Sequence, residues 1–595
     1  MALPRSAAPG NGKEAKQSIK KDGIIVATAI RQNETKQNTG ILCILSASLL
    51  LTGLFYAWEA CLCAVALAIY LLKVLKKQGK LYLPGDPLSV SVYIVVLFYG
   101  LSAFWAVDRG MALLGFAKQL CVPLFLIAAA QQKKEERELV FSAIPYAGAV
   151  MTAASFLLGQ IPALRQHFFV NSRLTGFFQY ANTFALLLLL GVIVIGFKPS
   201  LSRRDLLVMA VLIAGIGLSG SRTSFLLLLG VCGLIVIKKG DRKLKLAILG
   251  MLLALLFGGF LYAVLTGTTR SIGRYLSISF SSSTLVGRLL YWRDALPVIA
   301  GHPFGLGYLG YHYTQGSFQS GVYSVRFIHN EFLQLLLDIG WLPTLTFAAA
   351  MLKKLLQKGR TARNITIAAA ILLHSMMDFD LQFQAIVMLL LLALQEENSI
   401  PQRTLQKPGT IASLCIAALL CAYFAVPAGF AYLNRSDKAV KIYPFYTDAN
   451  VSLLQKAKTA AEMEMYADAI LRVNRSCAIA YDAKAMVAYA RADFRDLVYY
   501  KEKALSLRRY ELSGYTEYID MLVEGIRLSG EHEEIEELCR DRLAAVPDIL
   551  SRVQSETSSL AWKIYQTPDL ELPEEYRQKV ADYGANADSN IGGLE

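Results

Sequence analysis

Apolar runs separated by short polar connectors fill most of the first 432 residues, at 41–56, 60–75, 88–106, 111–130, 139–159, 180–197, 205–219, 222–237, 246–266, 331–352, 364–377, 382–395 and 410–432. The apolar positions in these runs wrap all faces of a helix, the pattern of a segment surrounded by lipid or by other helices. A perpendicular span needs about 20 residues, and several runs are shorter. The pattern changes after 432. Residues 433–595 are polar and amphipathic with helical periodicity, and DAILRVNRSCAIAYDAKAM (468–486) weakly repeats as KALSLRRYELSGYTEYIDM (503–521). A spacing of 34 to 35 residues is the period of tetratricopeptide helix pairs. The first 40 residues contain no apolar stretch beyond Ile24–Ile30, too short to span, and read as a disordered cytoplasmic tail.

The expected fold is therefore all-α: a polytopic integral membrane bundle of about thirteen transmembrane helices with a C-terminal extracytoplasmic helical-repeat domain. Its divisions are a tail at 1–40, a transmembrane domain at 41–432 and a tetratricopeptide-like domain at 433–595. Within the transmembrane domain, 267–330 reads as a long outer loop, and such loops usually carry function.

Composition agrees. The 595 residues are 54% hydrophobic and only 18% charged, too few charges for a soluble globule. The net charge of +14 raises the possibility of nucleic-acid binding, so its distribution matters. Residues 433–595 hold 21 Lys and Arg against 28 Asp and Glu, a net −7, and residues 1–432 hold 39 against 18, a net +21. The basic excess sits between apolar runs, as the positive-inside rule requires, and no nucleic-acid partner is expected. Basic connectors, KVLKKQGK (73–80), QQKKEER (131–137), KPSLSRR (198–204), KKGDRKLK (238–245) and KKLLQKGRTAR (353–363), alternate with lysine-poor ones such as AWEA (57–60), VDRG (107–110) and SGSR (219–222). That alternation places the amino terminus in the cytoplasm, and an odd helix count places the C-terminal domain outside.

Among the nine cysteines there is no CxxC or CxxH spacing, so free thiols are expected rather than a zinc site or a disulfide framework. Charged groups near lipid are more informative, because each costs at least about 2.5–3.5 kcal/mol. Arg222 in GSRTS, Arg173 in NSRLTGFFQYANTFA and Arg288 in VGRLLYWRDALPVIAGHPFGLGYLG all fall at the outer boundary. Singly, such arginines snorkel to lipid headgroups. Together they suit an anionic ligand, since the guanidinium fork matches phosphate oxygens. In FIHNEFLQLLLDIGWLP (327–343), Asn330, Gln334 and Asp338 share one helix face, with His329 at its mouth as a candidate base. Interhelical hydrogen bonding is the plainer role for that stripe. His374 and Asp378 form another i, i+4 pair, and Asp378–Phe379–Asp380 spells a DxD too short to indicate a metal. The glycines of HPFGLGYLGYH (302–312) read as a tight turn.

GSRTSF, GRLLYWRDALPVIAGHPFGLGYLG and HNEFLQLLLDIGWLP, preceded by RLTGFFQYANTFA, together resemble the O-antigen ligase/polymerase family of membrane glycosyltransferases over about 171–345. The resemblance implies a metal-independent, cofactor-free enzyme that takes a glycan from a polyprenyl diphosphate on the outer leaflet. It implies that Arg173, Arg222 and Arg288 neutralise the departing diphosphate and that His329 acts as base, with Glu331 as a substitute. Asn330, Gln334, Asp338, Arg326, Asn182 and Trp292 would then bind or orient substrate. The implied partners are the lipid-linked donor, a glycan, lipid or protein acceptor, the bilayer, and a protein contacting the C-terminal helices. A polysaccharide polymerase is an alternative within the same chemistry. A lipid-linked sugar flippase is an alternative outside it, against which no inverted repeat is visible.

Overall fold

The computed structural model describes residues 40–239, 245–246, 248–251, 253, 283–395, 402–405, 407–530, 532–564 and 568–584. The tail, most of the 246–266 run, and Arg270 and Arg274 of the outer loop lie outside the described residues.

Helices dominate what is described. From the amino terminus they are α1 (Gly40–Leu50), α2 (Ala57–Gln78), α3 (Pro87–Leu101), α4 (Arg109–Gln119), α5 (Cys121–Ala130), α6 (Lys134–Leu158), α7 (Pro162–Phe168), α8 (Ala181–Gly196), α9 (Arg203–Ser219) and α10 (Arg222–Lys239). Beyond the undescribed stretch come α11 (Ser283–Gly301), α12 (Gly310–Phe318), α13 (Glu331–Ile339), α14 (Trp341–Leu356), α15 (Ala362–Ser375), α16 (Gln384–Leu394) and α17 (Lys407–Tyr432). Two small antiparallel pairs join β1 (Leu81–Pro84) to β4 (Gln402–Leu405) and β2 (Phe169–Val170) to β3 (Arg173–Leu174).

Among the described residues, five helical stretches are long and apolar enough to cross a membrane: Ala57–Gln78, Pro87–Phe104, Arg109–Ala130, Lys134–Leu158 and Lys407–Tyr432. Three shorter apolar helices, α1, α8 and α16, accompany them. In α16 every residue is buried, and in α8 every residue except Asn182 is. A helix apolar on all sides belongs at the centre of a bundle, and these two occupy it.

Two expectations change. The 331–352 run is not one helix but two, α13 and α14, divided at Gly340. Gly340 has φ 83°, and a Cβ there would stand 2.1 Å from the Pro303 carbonyl oxygen. Only glycine satisfies both conditions. The 267–330 stretch is also not loop throughout, because α11 and α12 lie within it.

The C-terminal region is a helical stack: α18 (Ser436–Ile442), α19 (Thr447–Leu454), α20 (Ala460–Leu471), α21 (Ala478–Ala490), α22 (Phe494–Leu507), α23 (Leu512–Leu528), α24 (Glu533–Ser555), α25 (Ser559–Trp562) and α26 (Glu574–Gly584). Helices α20 and α22 start 34 residues apart, as do α21 and α23. The stack is seated on the bundle. Asn474 Nδ2 donates to Asp108 Oδ2 at 2.9 Å, and Tyr443 OH donates to the Gly110 carbonyl at 2.9 Å. A Cβ on Gly110 would lie 1.8 Å from the Phe445 carbonyl oxygen, so the seam requires glycine there. All nine cysteines are unpaired.

Candidate active site

The site is assembled at one end of the bundle, around the turn that joins α15 to α16. Asp378 on that turn is the hub. Its Oδ1 accepts from Tyr180 OH at 2.8 Å, from His329 Nδ1 at 3.2 Å and from the Phe379 amide at 3.0 Å. Its Oδ2 accepts from Asn182 Nδ2 at 2.5 Å and from Arg288 Nη2 at 3.4 Å. Burial alone would raise this carboxyl, but the His329 hydrogen bond and the Arg288 charge hold it well below the usual carboxylate range.

Arg173 reaches the hub through Asn182. The β2–β3 hairpin turns at Asn171 (φ 49°) and Ser172 (φ 63°), a left-handed pair suited to a two-residue hairpin. The hairpin directs Arg173 so that Nε donates to the Ser219 carbonyl at 2.7 Å while Nη2 donates to Asn182 Oδ1. Arg222 opens α10 three residues after Ser219. The segments bearing Arg173, Asn182 and Arg222 thus meet beside Asp378, and Arg288 enters from α11.

His329 has φ 55°, in the left-handed region, which costs a non-glycine residue about 1–3 kcal/mol. Its neighbours hold it there. Trp292 Nε1 donates to the Ile328 carbonyl at 3.0 Å, the Ile328 amide donates to Gln334 Oε1 at 3.0 Å, and Asn330 Nδ2 donates to the Met376 carbonyl at 3.1 Å. Asn330 Oδ1 also caps α13 by accepting from the Leu333 amide at 3.0 Å. Because Asp378 only accepts, Nδ1 of His329 carries a proton, an arrangement that in the neutral imidazole leaves the lone pair on Nε2. The side chain is 24% exposed. The Phe379 ring meets the imidazole edge-on at 5.0 Å.

The remaining expected residues go elsewhere. Glu331 is buried and accepts from the Gln382 amide at 3.2 Å and from Gln382 Nε2 at 3.3 Å. Asp338 is buried and accepts from Tyr99 OH at 2.9 Å and from Gln334 Nε2 at 2.8 Å. Arg326 forms an ion pair with Asp448 of the C-terminal stack at 2.8 Å, not with Asp378. Glu331, Gln334 and Asp338 therefore fasten α13 to its neighbours, and Arg326 fastens the stack.

The i, i+4 pairing of His374 with Asp378 is replaced by two separate pairs. His374 Nδ1 binds Asp380 Oδ2 at 2.6 Å, and Asp378 belongs to His329. The two carboxylates of the DxD face different partners. Asp378 and Tyr180 were not assigned to the site from sequence. The available signal was QYAN beside Arg173 and an acidic turn closing an apolar run.

Residues 207–348 match the model of a family described as O-Antigen ligase. That stretch contains Arg222, Arg288 and His329, while Arg173, Asn182 and Asp378 lie outside it. No curated protein matches the chain. With its membrane-length helices, the match supports a multi-pass membrane protein of the O-antigen ligase/polymerase type.

Proposed function

We propose that this protein transfers a glycan from a polyprenyl diphosphate to an acceptor hydroxyl at the outer face of the membrane, without metal or cofactor. The observation that carries the reading is the convergence on Asp378 of Arg288, His329 and the Arg173–Asn182 pair, from segments far apart in sequence. The alternation of basic and lysine-poor connectors supports the assignment to the outer face, in a reading with the amino terminus inside and the C-terminal stack outside.

The acceptor oxygen attacks the anomeric carbon. The bond from that carbon to the diphosphate oxygen breaks, and its electron pair leaves on phosphate. Arg173, Arg222 and Arg288 neutralise the growing charge, and one such donor is worth about 3–4 kcal/mol. Arg288 makes a single 3.4 Å contact with Asp378 and is not a bidentate partner there, so most of its donors can turn to phosphate. His329 Nε2 takes the proton from the acceptor hydroxyl, and Asp378 stabilises the imidazolium that forms. Glu331 is committed to Gln382 inside the bundle, which leaves His329 as the base.

We read the C-terminal stack as a tetratricopeptide-like module that recruits the acceptor or another assembly protein, a use suited to helical repeats. The deciding experiment incubates purified protein with a polyprenyl-diphosphate glycan and measures released polyprenyl diphosphate. Release with acceptor present supports transfer. Lengthening of lipid-linked repeats with no other acceptor makes the protein a polymerase, and movement across the bilayer with the sugar–phosphate bond intact makes it a flippase.

A further inference from the structure

Directly inward from the Asp378 hub lies a second polar layer that the transfer chemistry does not use. His374 Nδ1 binds Asp380 Oδ2 at 2.6 Å, and His374 Nε2 contacts Ser224 Oγ at 2.9 Å. Asp380 Oδ1 accepts from Thr183 Oγ1 at 2.7 Å, and Oδ2 also accepts from Ser375 Oγ at 3.3 Å. Ser221 Oγ donates to Ser224 Oγ at 3.1 Å. Serine, histidine and aspartate in this order match the atoms of a hydrolytic triad. Yet Ser224, His374 and Asp380 all have 0% exposure, so no substrate reaches the serine.

The two layers are built from the same segments. Asn182 serves the outer layer and Thr183 the inner. Asp378 serves the outer and Asp380 the inner. Arg222 begins α10, and Ser224 follows on its first turn. Each inner contact therefore fixes the register of an element that also supplies an outer group. A bond from Asp380 to α8 through Thr183 sets the distance between Asn182 and Asp378. A bond through His374 to Ser224 sets α10, and with it Arg222, against the same turn.

We propose that His374 and Asp380 are positioning residues for transfer, holding the Asp378 turn, α8 and α10 in the arrangement that aims His329 and the arginines. This rests on the transferase reading above. A displacement near 1 Å in such an arrangement costs about 100-fold in rate.

The test is a double-mutant cycle on full-length protein, with turnover measured as release of polyprenyl diphosphate and folding checked by detergent size-exclusion. Asp380→Asn is expected to lower kcat about 10–100-fold with the donor KM within threefold. In an Asp378→Asn background the same change is expected to cost under threefold, because its effect runs through Asp378. Thr183→Val removes one donor to Asp380 with little change of shape and is expected to show the same pattern at smaller size. A fluorophosphonate probe should leave Ser224 unlabelled.

Losses that multiply independently in the double variant would overturn the positioning role, as would monodisperse Asp380→Asn protein with wild-type kcat. Labelled Ser224 would replace it with a nucleophile. Absence of wild-type turnover would remove the transferase reading and this role together. Wild-type turnover with an independent Asp380 effect would remove this role alone.

Discussion

Replacing Asp378 with asparagine probes the centre of the arrangement. The carboxylate accepts five hydrogen bonds, three on Oδ1 and two on Oδ2, and donates none. An asparagine keeps the volume but has one acceptor oxygen and one amide that only donates. If its oxygen faces Tyr180, His329 and the Phe379 amide, the amide group confronts Asn182 and Arg288, donor against donor. If it turns over, the amide confronts His329 and favours the tautomer with the lone pair on Nδ1. Either orientation loses one half of the site, and the negative charge beside the imidazolium is lost in both. We expect kcat to fall about 10²–10³-fold, or about 2.7–4.1 kcal/mol of transition-state stabilisation. The assay is initial-rate release of polyprenyl diphosphate by purified, monodisperse protein. Turnover within threefold of wild type would refute the assignment of Asp378 as the hub.

His329→Ala should reduce the same rate at least about 100-fold, and a loss under threefold would make the histidine structural. Arg288→Lys keeps the charge but removes the planar fork, so turnover should drop steeply with membrane insertion unchanged; near-normal transfer would take Arg288 out of diphosphate neutralisation. Gly340→Ala should destabilise the bundle by about 1–3 kcal/mol, visible as a smaller monodisperse fraction after extraction. At Asp448, burial opposes ionisation, but the Arg326 charge and the hydrogen bond from Tyr313 hold the carboxyl below its ordinary value. A depressed acid contributes stability above its unfolded value near pH 3.9 and loses it as pH falls through the lower folded value. The Arg326–Asp448 contribution to seating of the C-terminal stack, read as the difference in protease sensitivity between wild type and Asp448→Asn, should therefore persist above about pH 5 and vanish in stronger acid, and the substitution should weaken seating by about 1 kcal/mol.

The membrane helices were legible because apolar runs have few alternatives. The runs at 60–75, 88–106, 111–130, 139–159 and 410–432 coincide with helices of membrane length. Composition alone could not show the break at Gly340, since isoleucine, glycine, tryptophan and leucine leave the run apolar. The requirement comes from the Pro303 carbonyl pressing on it from the other side of the chain fold. Arg173, Arg288 and His329 were singled out by motif, and the structure brings Arg288 and His329 to one carboxylate, with Arg173 linked to it through Asn182. Asp378 was missed as the hub for a geometric reason. Spacing in sequence suggested a partnership with His374 one helical turn back, whereas α15 ends at Ser375 and the turn swings Asp378 towards His329. The direction a side chain takes after a helix ends is set by tertiary contacts, and those are not written in periodicity.

The seam between the stack and the bundle bears on how this protein could be shortened. Arg509 Nε donates to the Gln319 carbonyl at 3.0 Å, the Ser558 amide to the Ser320 carbonyl at 2.8 Å, and Tyr313 OH to Asp448 Oδ1 at 2.6 Å. With the Arg326–Asp448 pair, these contacts grip successive points of the strand of chain that ends at His329. Cutting after residue 432 would not simply remove an appendage, because it would free the tether on which the imidazole is mounted. Domain-exchange experiments that keep the membrane half and swap the stack should carry over residues 313–326 with it, since the two halves of that joint are shaped for each other.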